Sequence, residues 1–140
     1  MNQPQIYILD DDPGISSLLN DMVEDIGLVA KSFNFGKDFI EQTKHIEKGA
    51  LLILDLMMPD MDGIEVMNHL VELPNPPSLI LMSGHYEEIL FSAKKLGLAY
   101  KLNIIQSITK PIPLNKFQKL VKGYCDEHNN IETSKEIPAN

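Results

Sequence analysis

The chain has 140 residues, 44% of them apolar, and a formal net charge of −8, which describes one ordinary domain with enough apolar surface for a core. That charge, with no basic stripe in the sequence, argues against a nucleic-acid groove, and the apolar runs fall far short of a membrane span. The lone Cys125 has no partner for an intramolecular disulfide, and the opening MNQPQ is uncharged and polar, unlike a secretory signal; a cytoplasmic domain is expected.

Ile6 to Leu9 reads as a first strand. Ile15, Leu18, Leu19, Met22, Val23 and Ile26 then recur at helical spacing, with Asp12 as N-cap, Pro13 as first helical residue and Gly27 as terminator. Leu28 to Phe33 reads as a second strand, and Lys37 to about Glu47 as a helix turning Phe39, Ile40 and Ile46 inward. LLIL (51–54) is a third strand, followed by a helix over 63–73 that carries Ile64, Met67, Leu70 and Val71 on one side. After the break NPP (75–77), LILM (79–82) is a fourth strand. Ile89, Ala93, Leu96 and Tyr100 repeat at 4-3-4, which carries the next helix through Gly97 to about Lys101, although glycine costs roughly 1 kcal/mol against alanine in a helix interior. Ile104 to Ile108 is a fifth strand, and Leu114, Phe117, Leu120, Val121 and Tyr124 mark a last helix. Residues 126–140 are poor in apolar side chains and are expected as a flexible tail or linker, leaving 1–125 as the folded domain.

Strands such as LLIL and LILM are apolar at every position, as in strands buried on both faces of a parallel sheet. Helical crossovers then cover both sides. The expected fold is α/β: a five-stranded parallel sheet inside a three-layer α/β/α sandwich, with ligands gathering beyond the carboxyl ends of the strands.

The polar residues fall at those ends. Asp10 and Asp11 follow the first strand, Asp55 the third, Ser83 the fourth and Lys110 the fifth. Clustered carboxylates raise one another's pKa unless a cation sits among them, and Mg²⁺ accepts a few carboxylates while keeping several waters; Asp10, Asp11 and Asp55 have the look of a magnesium cup. An ammonium from Lys110 and a hydroxyl from Ser83 facing a carboxylate suit a transferring phosphoryl group, and a carboxylate can itself be the nucleophile. Asp55 is the strand-end acid with no acidic neighbour in sequence, and so the expected acceptor.

At these residues the chain resembles the receiver domain of two-component response regulators. The matching stretches are ILDDDP (8–13), LDLMMPDMDG (54–63), LMSG (81–84) and ITKPI (108–112), and the similarity spans about residues 5 to 125. The resemblance implies a flavodoxin-like fold with strand order 2-1-3-4-5. It implies that Asp55 takes phosphate from a sensor histidine kinase or phosphotransfer protein. Mg²⁺ would be held by Asp11 directly, by Asp10 more often through water, by Asp55 and by the backbone carbonyl of Met57. Ser83 would swing toward the phosphate, Lys110 would pair with a phosphate oxygen, and the Lys110–Pro111 bond would often be cis. Such a domain is no enzyme beyond its own phosphorylation and dephosphorylation. Its output domain or homodimer contact would use the face of helix four, strand five and helix five.

Pro59 would stiffen the loop after the acceptor and Gly63 would allow a tight entry into the next helix, while Asp60 and Asp62 are expected as solvated loop acids. Met57 and His85 occupy positions that in the family control access of the hydrolytic water, and Gly84 leaves room for a small phosphodonor. Ser107 departs from the family pattern, which often has an aromatic there. The long fourth helix and KP strand are similar to receivers joined to cyclic-di-GMP phosphodiesterase domains of the EAL type. A haloacid-dehalogenase-type phosphatase is the rival, with Asp10-x-Asp12 as its nucleophile motif; it needs a downstream acidic pair, for which only Asp126–Glu127 is available. A degenerate receiver acting as a mere binding module sits badly with an intact acid pair, acceptor and lysine.

Overall fold

A computed structural model describes residues 3–84 and 87–136. Five strands and five helices alternate: β1 (Ile6–Leu9), α1 (Pro13–Asp25), β2 (Lys31–Phe33), α2 (Gly36–Gln42), β3 (Leu51–Asp55), α3 (Gly63–Leu70), β4 (Ser78–Ser83), α4 (Glu87–Tyr100), β5 (Ile104–Thr109) and α5 (Leu114–Glu136). All strand pairs are parallel and the order is β2-β1-β3-β4-β5.

The uniformly apolar strands have a direct geometric reason. Successive side chains point to opposite faces, so β3 sends Leu52 and Leu54 into one core with Phe39 of α2 and Met67 of α3. Leu51 and Ile53 go into the other, with Leu19 and Val23 of α1 and Phe117 and Val121 of α5. Each such side chain contributes roughly 1.5–3 kcal/mol on burial, and a strand covered on both faces has no position left for a polar residue. Three layers follow, as expected.

Local chemistry trims the expected elements. β2 starts at Lys31 rather than Leu28 because the Gln3 side chain takes both backbone groups of Val29, donating to its carbonyl at 2.7 Å and accepting its amide at 2.8 Å. Upstream, Gly27 sits at φ +80° and ends α1. α2 stops at Gln42 rather than near Glu47: the amide and hydroxyl of Thr43 both donate to the Phe39 carbonyl and close the last turn. α3 tightens after Leu70, where the amides of Glu72 and Leu73 donate three residues back. α4 does run through Gly97. A methyl group there would lie 2.4 Å from Cδ1 of Ile104, so glycine lets α4 approach β5.

α5 departs most from the sequence reading, continuing helical to Glu136 where a tail was expected from residue 126. Residues 126–136 contain no Gly or Pro, and the start of this stretch is anchored. Tyr124 and Cys125 are buried, the Tyr124 hydroxyl donates to the Gly49 carbonyl at 2.8 Å, and the His128 ring lies 3.8 Å from that of Tyr124. Lys122 and Asp126 pair one turn apart at 3.5 Å.

Tyr124→Phe removes the group that serves the carbonyls of Gly49 and Ala50 and the Ser78 hydroxyl. The expected loss is about 1 kcal/mol, a fall in Tm of about 2–5 °C, measurable by calorimetry; an unchanged Tm would show that α5 is held by its apolar face alone.

Candidate functional site

The chain order brings the chemistry to one rim. β1 and β3 are neighbours, paired through Leu9↔Leu54, so Asp10 and Asp55 leave the sheet side by side. β3 pairs with β4 through Asp55↔Met82, and β4 with β5 through Ser83↔Thr109. Lys110 is thus the first residue beyond β5, and its amide donates to the Ser83 carbonyl at 2.7 Å.

Carboxylate oxygens of Asp10, Asp11 and Asp55 all lie within 4.8 Å of one another, with Asp10 and Asp55 buried. Lys110 Nζ bridges the buried pair, at 3.0 Å from Asp10 Oδ2 and 3.3 Å from Asp55 Oδ2. The second oxygen of each acid is held by backbone: the Asp12 amide donates to Asp10 Oδ1 at 2.9 Å, and the Met57 amide to Asp55 Oδ1 at 3.1 Å. Ser83 is buried at the end of β4. The Lys110–Pro111 peptide is cis. Five of the six expected site residues therefore stand on one rim, and the sixth, Met57, is tied to Asp55 through its amide.

Burial pushes the Asp55 carboxyl up to about 6, with the charge of Asp10 adding to the rise; the Met57 amide and Lys110 oppose it without prevailing. Burial acts to lower Lys110, but its hydrogen bond to Asp10 and the charges of both acids outweigh it, and its pKa rises. Lys110 is a firmly held cation facing two acids.

The surrounding loops explain the remaining acids. Asp12 caps α1 as expected, its Oδ1 accepting the Gly14 amide at 2.8 Å, with Pro13 at the first helical position. Asp60 and Asp62 are not merely solvated, which corrects the sequence reading. Asp62 caps α3 by accepting the Glu65 amide at 2.9 Å, and Asp60 Oδ2 accepts the Gly36 amide at 3.0 Å. Gly63 enters α3 where a methyl would lie 2.7 Å from Leu56 Cα, a close approach that only glycine allows. Asn34 escaped the sequence reading: its Nδ2 donates to the Asp10 carbonyl at 2.8 Å and the Ser16 hydroxyl at 2.9 Å. No local spacing announces it, because its partners lie 24 and 18 residues away. His85 lies outside the described residues.

The family model for the response regulator receiver domain matches residues 6–122. The chain belongs to the response regulator receiver family. It is 37% identical over 106 residues to the response regulator protein TmoT of Ectopseudomonas mendocina, covering 76% of this chain and 46% of that protein. It is 26% identical to sporulation initiation phosphotransferase F of Bacillus subtilis, covering 93% of this chain and all of the relative. The crystal structure of a response regulator from Colwellia psychrerythraea is 38% identical with a TM-score of 0.77, covering 90% of this chain and 99% of that one. The receiver thus spans about half the length of relatives such as TmoT.

Family membership and geometry together set the phosphatase reading aside. Asp12 is occupied as a helix cap. The required downstream acids, Asp126 and Glu127, follow Tyr124, whose hydroxyl meets Gly49 and Ala50 at the amino-terminal end of β3, away from the rim. The phosphodiesterase-output reading gains nothing from these relatives either.

A pH dependence follows from the raised Asp55. Between the ordinary 3.8 and about 6 the folded chain keeps a proton that the unfolded chain has released. The unfolded state binds fewer protons in that window, so this group's contribution to stability falls as pH rises through it. In metal-free buffer, Asp55→Asn should melt above the parent chain at pH 7.5, with the gap closing toward pH 4. A gap independent of pH in paired thermal melts would refute the assignment.

Proposed function

We propose that Asp55 is the phosphoacceptor of this receiver, with Asp10, Asp11 and the Met57 carbonyl as its magnesium partners and Ser83 and Lys110 as donors to the incoming phosphoryl group. The observation that supports this most is the single ammonium held between two buried carboxylates, one of which ends β3 next to the buried Ser83.

The donor set fits a hard divalent ion: three carboxylates within 4.8 Å of one another offer only oxygen. When bound, Mg²⁺ supplies positive charge that offsets the oxygens of the transferring group. The chain's own residues do the rest. A carboxyl that titrates at about 6 is ionised at neutral pH and is a better base than an ordinary aspartate. Its oxygen attacks the phosphorus of a phosphohistidine; the P–N bond breaks, the imidazole nitrogen leaves and takes up a proton, and an aspartyl phosphate remains. Lys110, held charged by the acids around it, turns its donors to the phosphoryl oxygens, whose charge spreads equatorially in transfer. The Ser83 hydroxyl serves another oxygen.

The donor protein would be a sensor histidine kinase or a phosphotransfer protein, in the cytoplasm. Among the described residues no helix is long and apolar enough to cross a membrane. An output partner or second copy fits the face of α4, β5 and α5. There, Phe91 and Leu98 are exposed on α4, and a groove of about 490 Å³ runs along Lys94, Leu98, Ile104 and Ser107.

Incubation with acetyl phosphate and Mg²⁺ should add the mass of one phosphoryl group, and neither Asp55→Asn nor a sample with chelator should gain it. Addition that persists in Asp55→Asn would move the acceptor elsewhere. Met57, 43% exposed beside the acceptor, is proposed to impede the hydrolytic water. Met57→Asn should therefore shorten the phosphate lifetime about tenfold, short of the roughly 100-fold or more that a fully placed general base contributes; an unchanged decay rate would show that Met57 only packs.

A further inference from the structure

Two loops flank the acidic rim, and one short segment touches both. Residues 34–36 run from the end of β2 into the first residue of α2. Asn34 holds the carbonyl of Asp10 at 2.8 Å and is itself fixed by the buried Ser16 at 2.9 Å. Two residues later the Gly36 amide donates to Asp60 Oδ2 at 3.0 Å. Asp60 belongs to the loop that follows the acceptor. That loop is pinned at its inner end, where the Leu56 amide donates to the Met82 carbonyl and the Gly63 amide to the Leu56 carbonyl, both at 3.0 Å. Its outer part reaches across to Gly36. Met61 lies against Gly36 so closely that a methyl group there would stand 2.9 Å from Met61 Cβ.

The bond also completes α2. The N-cap residue of that helix is Phe35, whose side chain cannot accept a hydrogen bond. Asp60 supplies an acceptor from 24 residues away, where a negative group is favoured by the unsatisfied amides of a helix start. The same carboxylate thus anchors the acceptor loop to a helix end, and through Asn34 to the backbone of Asp10.

We infer that Asp60 is a positioning residue of the magnesium site: by accepting the Gly36 amide it sets the spacing between the loop carrying Met57 and the Asp10–Asp11 pair. This rests on the proposed reading of the rim as a magnesium site. Asp60 touches neither metal nor phosphate in this role. It acts through the segment 34–36, as residues behind a metal site orient those that face it.

The test is an NMR titration of the full chain with Mg²⁺ alone, with amide exchange of Gly36 followed in parallel. Asp60→Ala should speed Gly36 exchange and raise the Mg²⁺ dissociation constant roughly three- to tenfold, at or below the low end of what losing an orienting partner costs a metal site. Asp60→Asn keeps an oxygen that can accept the Gly36 amide and should restore both. If Asp60→Asn weakens Mg²⁺ as much as Asp60→Ala, the carboxylate acts by charge and the positioning role fails. Faster Gly36 exchange with unchanged affinity also overturns it. If the parent chain takes up no Mg²⁺, the reading of the rim fails, and the inference with it; the parent titration separates these cases.

Discussion

The structure depends on two buried carboxylates, Asp10 and Asp55, sharing one ammonium. Like charges this close in a partly desolvated site repel strongly, and one lysine cannot neutralise three acids. The site therefore keeps an excess of negative charge that favours a divalent cation over further lysines. The parallel sheet makes this tension possible. Neighbouring strands lie about 4.8 Å apart, so acids at the ends of β1 and β3 are held together by backbone hydrogen bonds and cannot drift apart to relieve repulsion. The strand order adds the crevice: the chain leaves β1 toward β2 on one side and β3 toward β4 on the other, which opens a gap between the two crossovers.

Around that pair the loops are built to be stiff. Three acids near the rim that do not face the cluster each accept a backbone amide: Asp12 at the start of α1, Asp62 at the start of α3, Asp60 at the start of α2. Three helix starts thus point toward one rim, and their positive ends lessen the repulsion that the acids create. In space the acids divide into those that cap, Asp12, Asp60 and Asp62, and those that cluster, Asp10, Asp11 and Asp55.

What could be read from the sequence was what repeats or sits at a strand end. Apolar runs of four named β1, β3 and β4, helical spacing named α1 and α4, and the polar residues at the strand ends named Asp10, Asp55, Ser83 and Lys110. The features that stayed hidden depend on distant partners. β2 is short because Gln3 intercepts Val29, and neither residue marks the other. α5 outlasts its apolar pattern, and the carbonyls 74 and 75 residues earlier that anchor it through Tyr124 leave no local mark. Asn34 and Asp60 looked like ordinary loop residues, since a side chain reaching across to another loop leaves no period. Gly97 was legible as an oddity in a helix, but its reason, the proximity of Ile104, needed the sheet.

Ser107 directs how a signal can leave the rim. It stands opposite Leu81 on β5 and lines the groove beneath α4, where an aromatic ring would otherwise fill space. With serine there, the backbone offers the direct path for a displacement at the rim. The link is short: the Lys110 amide donates to the Ser83 carbonyl at 2.7 Å, so the phosphoryl group proposed above, on drawing both side chains inward, would move the ends of β4 and β5 as one piece. β5 is an edge strand, bonded to β4 alone, and so is less restrained against such a shift than the strands inside the sheet. Its outer surface is the groove beside Leu98, which is 83% exposed. A small movement of the rim would then change the shape of an apolar surface directly, with no rotating side chain between them; the absent aromatic shortens the path from charge to surface.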